Sequence, residues 1–243
     1  MAAAESGPDW QYFPDADAVA AAATALILSA ADAAMSARGE FRLVLAGGTT
    51  PNRVYRQLAA SPADWSRWQI YFGDERCLPA ADPGRNSSMA ATAWLDHAEV
   101  PQQNVHPIPA ELGAKAAAQR YAALVAGARP FDMVLLGIGE DGHTASLFPG
   151  DVHPAGEQVH AISGAPKPPP ERVSLSREAL SDSRDVLILV TGKGKRDAVQ
   201  RWRAGEDLPI AHITARDHLR VLVDREAGDD MNSTAHSRAA RQG

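Results

Sequence analysis

The chain has 243 residues, 45% of them apolar, enough to bury the core of one large α/β domain. A formal charge of −6 with no long Lys/Arg block argues against a nucleic-acid partner, while a local cluster of cations can still take a small anion. The single cysteine, Cys77, excludes an intrachain disulfide and a cysteine-based zinc site, and next to Arg76 it reads as a buried structural thiol.

The opening MAAAESGPDW carries Glu5 and Asp9 and no basic residue, unlike a secretory signal. Residues 18–31 are apolar but few, mostly alanine, and bracketed by Asp17 and Asp32. They are expected to form a packed helix and not a membrane span, in a soluble cytoplasmic protein. The helix should run over residues 15–38, stopped by Gly39. FRLVLAGG is the first strand. TTPNRVYRQLAA follows as a helix with Thr50 as N-cap and Pro51 at its first position. WQIYFGDE is the second strand, and the loop CLPAADPGRNS leads to a helix over 87–97. NVHPIP is extended, 111–126 helical, and FDMVLLGIG a third, apolar strand. APKPPPERVSLS is a rigid proline-rich loop feeding a strand. RDVLILVTG is a further strand, KGKRDAVQRWRAG a helix, and AHIT and LRVLVD are late strands. Residues 1–228 are expected to form a single domain, and 229–243 a polar, disordered tail.

Strands alternate with helices, and several strands are apolar on both faces. The fold class predicted is α/β: a mainly parallel open sheet with helices on both faces, of the Rossmann-like kind. In such sheets ligands bind outside the carboxyl ends of the strands. Four strand ends carry unusual residues. AGGTTP places Gly47, Gly48, Thr49 and Thr50 before a helix N-terminus, where backbone N–H groups and the helix dipole favour an anion. It lacks the GxxxxGK[ST] spacing of a nucleotide P-loop. TGKGK puts Lys193 and Lys195 at another helix start, a costly place for cations without an anion, and Lys195 is preferred as the one facing the ligand. GDER brings Asp74, Glu75 and Arg76, with Arg85 on the loop beyond; arginine suits phosphate oxygens. GIGEDGHTASLFP carries Asp141 and His143 between glycines, the natural setting of a general base. The remaining histidines lack companions. His153 and His160 have a poor spacing for metal, and without an HExxH pattern no metal is expected.

These segments resemble a known family. LAGGTTP, YFGDERCLP with RNSS, FDMVLLGIGEDGHTASLFP, APKPPPERVSLS and VTGKGKRDAV are similar, in this order and over residues 41–200, to the 6-phosphogluconolactonases of the glucosamine/galactosamine-6-phosphate isomerase superfamily. Glucosamine-6-phosphate deaminases share the DGH core but continue it with IAFNEP, where this chain has TASLFP. The C-terminal HLRVLVD departs from the family, which often has an aromatic residue before its last strand. The resemblance implies hydrolysis of 6-phospho-D-glucono-1,5-lactone in the oxidative pentose phosphate pathway, without metal or organic cofactor. It places the family's histidine at His143, its arginine at Arg76 and its lysine at Lys195.

The expected mechanism has His143 taking a proton from water as it attacks the lactone carbonyl, then protonating the ring oxygen. Asp141 or Asp74 orients the imidazole or holds sugar hydroxyls. Arg76, Arg85, Lys195 and the Gly47–Thr50 turn hold the phosphate. The expected partner is a small sugar-phosphate lactone bound by a monomer, with no nucleic acid and no membrane. Three rivals stand beside this reading: an isomerase or deaminase of amino-sugar phosphates, a non-catalytic sugar-phosphate sensor, and a general esterase. The chain's acidity weighs against the sensor, and the absence of a G-x-S-x-G elbow against the esterase.

Overall fold

The structure is a computed structural model that describes residues 7–228; the segment 229–243, expected to be disordered, lies outside the described residues. In chain order it contains β1 (Asp9–Phe13), α1 (Ala16–Arg38), β2 (Phe41–Leu45), α2 (Thr49–Ala59), β3 (Trp68–Phe72), β4 (Asp74–Arg76), α3 (Asn86–Ala90), α4 (Ala114–Ala126), β5 (Phe131–Gly137), β6 (Val159–Ile162), β7 (Arg172–Leu175), α5 (Arg177–Ser181), β8 (Ser183–Val190), α6 (Arg196–Arg203) and β9 (His218–Asp224). Six strands form one sheet in the order β1-β9-β8-β5-β2-β3. Every pairing in it is parallel. The first six residues of β5 are all buried, so both faces of the sheet are covered, as its apolar run predicts; Asp132, the one charged residue in it, is paired with Arg38 and accepts the Arg42 backbone N–H.

The α1 helix starts where Asp15 accepts the backbone N–H of Ala18 and ends at Gly39, in the left-handed conformation at φ 85°. Its length and composition would suffice to cross a membrane. In the fold it lies against the sheet, with Val19, Ala20, Ala23 and Ile27 fully buried.

A second sheet, antiparallel and in the order β4-β7-β6, escapes the sequence reading. WQIYFGDE is two strands: β3 ends at Phe72, and after Gly73 the chain changes sheets. There Asp74 pairs with Ser174 and Arg76 with Arg172. This change of sheet is what brings β4 and β7 to the strand ends of the parallel sheet.

Other expectations need correction. The N-cap of α2 is Gly48, not Thr50, which lies inside the first turn with its hydroxyl 2.6 Å from that of Thr191. The helix over 87–97 is α3 continued by a π turn, Ala91–Leu95. The helix over 111–126 is interrupted by Gly113 at φ 84°, which separates a 3-10 turn from α4. The first half of AHIT closes a 3-10 turn, Pro209–His212, and no strand forms at Ile213 or Thr214. The strands β1 and β6 were not anticipated; each is short and finds its partner far along the chain or in the second sheet.

Candidate active site

The ends of β2, β5 and β8 open onto a cleft of about 240 Å³. Gly47, Gly48, Thr49, Thr50, Asp74, Arg76, His143 and Lys195 all line it, together with Asn86, Arg172 and Thr191. At the mouth of α2, Gly48 takes φ 109°, and no side chain caps the helix. The first-turn amides are left for a ligand. Gly47 has no room for a side chain, because a Cβ there would stand 2.1 Å from Oδ1 of Asn86. Asn86 itself donates to the Asp74 carbonyl at 3.0 Å and to Asp74 Oδ1 at 2.9 Å. The other carboxylate oxygen of Asp74 accepts from Ser146 Oγ at 2.7 Å. Burial foremost pushes the Asp74 carboxyl above the usual carboxylate range.

The loop after β5 carries the histidine. Nδ1 of His143 lies 2.5 Å from Oδ1 of Asp141, and the same oxygen accepts the His143 backbone N–H at 3.2 Å. An ionised carboxylate only accepts, so Nδ1 carries the proton and Nε2 is the nitrogen left for a ligand. The loop is held by Gly139 N–H donating to the His143 carbonyl at 2.7 Å and by Thr144 Oγ1 donating to the Gly137 carbonyl at 2.9 Å. Gly139 is required, since a Cβ would stand 2.0 Å from His143 Nδ1. Ala145, at φ 49°, adopts a left-handed backbone uncommon outside glycine. Phe148 covers one side of the imidazole, with ring centroids 4.8 Å apart. Burial holds the His143 pKa below its usual 6.5, although Asp141 works in the opposite direction. Burial would raise the Asp141 pKa, but the bond and charge of His143 outweigh it and hold the carboxyl below its usual range.

Cations gather opposite. Arg76 donates to the Gly84 carbonyl at 2.6 Å, while its buried Nε has no partner. Lys195 is half-buried, and that burial lowers its pKa. Lys193 is exposed and does not line the cleft. Arg172, absent from the sequence-derived set, is buried beside Arg76 and fixes the proline-rich loop by donating to the carbonyls of Lys167, Pro168 and Pro169 at 2.8, 3.2 and 3.1 Å. The sequence held its motif, PPPERVS, but not the register that sets it against Arg76.

Arg85 is the one predicted phosphate ligand that the structure places elsewhere. It is buried away from the cleft, 2.8 Å from Glu111 and 3.4 Å from Glu75, and it donates to the Ile108 carbonyl. The cause is Glu75, whose carboxylate caps α3 by accepting the N–H groups of Asn86 and Ser87, and whose charge draws the arginine inward. Cys77 is half-buried, and burial with the nearby Glu171 pushes its thiol up to about 11. His153 and His160 stack at 4.2 Å outside the cleft. No group of three or more His, Cys, Asp or Glu side chains suited to a metal gathers among the described residues.

A parallel α/β sheet with a histidine–aspartate pair facing a cation-lined cradle at its strand ends defines an enzyme for small anionic substrates. The chain belongs to the family described as glucosamine-6-phosphate isomerases/6-phosphogluconolactonase, whose model matches residues 14–222. The 6-phosphogluconolactonase of Mycobacterium tuberculosis is 38% identical over 242 residues, covering 92% of this chain and 98% of that protein. The crystal structure of 6-phosphogluconolactonase from Thermotoga maritima superposes with a TM-score of 0.83 at 26% identity, over 89% of this chain and 99% of that one. A monomeric glucosamine-6-phosphate deaminase has the same fold, with a TM-score of 0.79 at 22% identity over 90% of this chain and 98% of that one.

Proposed function

We propose that the protein hydrolyses 6-phospho-D-glucono-1,5-lactone to 6-phosphogluconate, the second step of the oxidative pentose phosphate pathway. The observation that carries this reading is the His143 imidazole, tied through Nδ1 to Asp141 and left with Nε2 as its free base. Water attacks the lactone carbonyl carbon as Nε2 takes one of its protons. The tetrahedral intermediate collapses by breaking the bond to the ring oxygen, and the imidazolium returns the proton to that oxygen. Asp141 is the carboxylate that orients the imidazole; Asp74, with both oxygens engaged by Asn86 and Ser146, holds the sugar end. The first turn of α2, Arg76, Arg172 and Lys195 form the phosphate cradle. Binding at that remote end positions the carbonyl.

An isomerase or deaminase would use a cleft carboxylate to remove a C2 proton, and Asp74 is the group available. The relative at 38% identity is named a 6-phosphogluconolactonase, whereas the deaminase shares the fold at 22% identity, which favours the lactonase. A coupled assay on freshly prepared phosphogluconolactone, with unphosphorylated gluconolactone beside it, tests the function. Rapid hydrolysis with strong preference for the phosphorylated lactone is expected. Ammonia release from glucosamine 6-phosphate in place of lactone hydrolysis would overturn it. The same reading makes the protein a cytoplasmic monomer without nucleic-acid or membrane partners. The scarcity of exposed large apolar side chains among the described residues, only Leu112, Leu124 and Val152, favours the monomer.

A further inference from the structure

Glu140 immediately precedes Asp141 and stands three positions before His143, yet the mechanism gives it no task. Its carboxylate reaches in two directions beside the cleft, whose lining includes Lys195 but neither Glu140 nor Lys167. Oε2 lies 3.9 Å from Nζ of Lys167 on the proline-rich loop. Oε1 lies against the turn that carries Lys195, 3.3 Å from where a Cβ on Gly194 would stand. Lys167 and the turn that carries Lys195 thus flank one carboxylate. Its charge is also the foremost one supporting the charged form of Lys195, and the Lys167 charge is felt at both His143 and Lys195.

The two sides of this contact differ in firmness. The Lys167 backbone is fixed, because its carbonyl accepts from the buried Arg172 guanidinium at 2.8 Å. The Glu140 side chain is 66% exposed and that of Lys167 46% exposed, so the pair itself is a weak, solvated one. A cation on a fixed backbone, loosely paired with a solvated anion, is suited to exchange.

We propose that Glu140 is a built-in competitor for the substrate's phosphate. In the empty cleft its carboxylate occupies the charge environment of Lys167 and Lys195. An arriving phosphate, carrying nearly twice its charge, displaces it, and it returns when the product leaves. This rests on the phosphate-cradle reading above and adds Lys167 to that cradle. Glu140 then weakens the binding of substrate and product alike, which sets KM and product inhibition without lowering the chemical barrier.

The test is Glu140→Gln, which keeps the side chain's shape at an exposed position. KM for phosphogluconolactone, and the inhibition constants of inorganic phosphate and 6-phosphogluconate, are measured at low and high salt. All three constants should fall about two- to fivefold at low salt, with kcat not raised and the effect shrinking as salt screens it. The preference for phosphorylated over unphosphorylated lactone should rise by a similar factor. Lys167→Gln should raise the same constants, and in that background Glu140→Gln should recover less than it does alone. If Glu140→Gln leaves phosphate inhibition unchanged in an enzyme that is inhibited by phosphate and prefers the phosphorylated lactone, the competitor is overturned while the cradle stands. If the unaltered enzyme is indifferent to phosphate, the cradle fails and the competitor with it.

Discussion

At His143, burial and the Asp141 bond act on the same ring with opposite sign. Burial favours the neutral imidazole and wins, so the pKa falls below 6.5 and the base is unprotonated at neutral pH. A general base works only in its neutral form, so kcat/KM should hold steady through neutrality and fall on a single acidic limb below pH 6.5. Replacing Asp141 with Asn removes the group that raises this pKa. The limb should move further toward acid, while kcat drops by about 10²-fold as the ring loses its fixed tautomer. A pH–rate profile of both enzymes checks the direction; an unmoved limb would detach Asp141 from the histidine. His143→Ala should cost about 10³-fold in kcat/KM above the spontaneous rate, and near-wild-type turnover would end the assignment.

The loop between β5 and β6 is built around the space that Gly139 leaves open. A methyl group there would meet the imidazole at 2.0 Å, so Gly139→Ala must push His143 off its Asp141 partner. The expected result is a loss of about 10²-fold in kcat with a melting temperature changed by only a few degrees, measured by calorimetry beside the activity assay. A variant with full activity would show that the loop has a second arrangement of equal use. The α2 entrance and the turn after β8 follow a similar logic. Gly48 at φ 109° and Gly192 at φ 89° bend the chain where side chains would strain it, and the Thr50–Thr191 contact ties the two turns together.

Across the whole molecule, stability resides away from the cleft. Trp65, Trp68 and Trp94 meet edge to face with centroids 4.7 to 5.7 Å apart, joining the π turn to β3. Trp94 is fully buried, so Trp94→Ala should lower stability by about 3–5 kcal/mol, or about 10 °C in melting temperature. Activity per folded molecule should be nearly unchanged below the transition, because none of the three tryptophans lines the cleft. Equal losses of activity and stability would instead tie this aromatic cluster to the site.

Local pattern determined much of this protein. Apolar runs bounded by glycines marked β2, β5 and β8, Gly39 marked the end of α1, and the glycine-rich strand ends marked where a ligand must lie. Those features are set by neighbours in the chain, so they can be read there. The resemblance of GEDGHTASLFP supplied the lactonase reading. Pairing between distant segments could not be read in this way. The change of sheet at Gly73, and the β4–β7 register that sets Arg172 beside Arg76, depend on contacts between residues about a hundred positions apart. The same cause removed Arg85 from the cleft, since Glu75 and Glu111 claim it only once the chain has folded. It also settled the geometry around His143: Asp141 lies 2.5 Å from its Nδ1, while Asp74 is held by Ser146 and Asn86. The sequence named both carboxylates, and only their positions in the fold separated them.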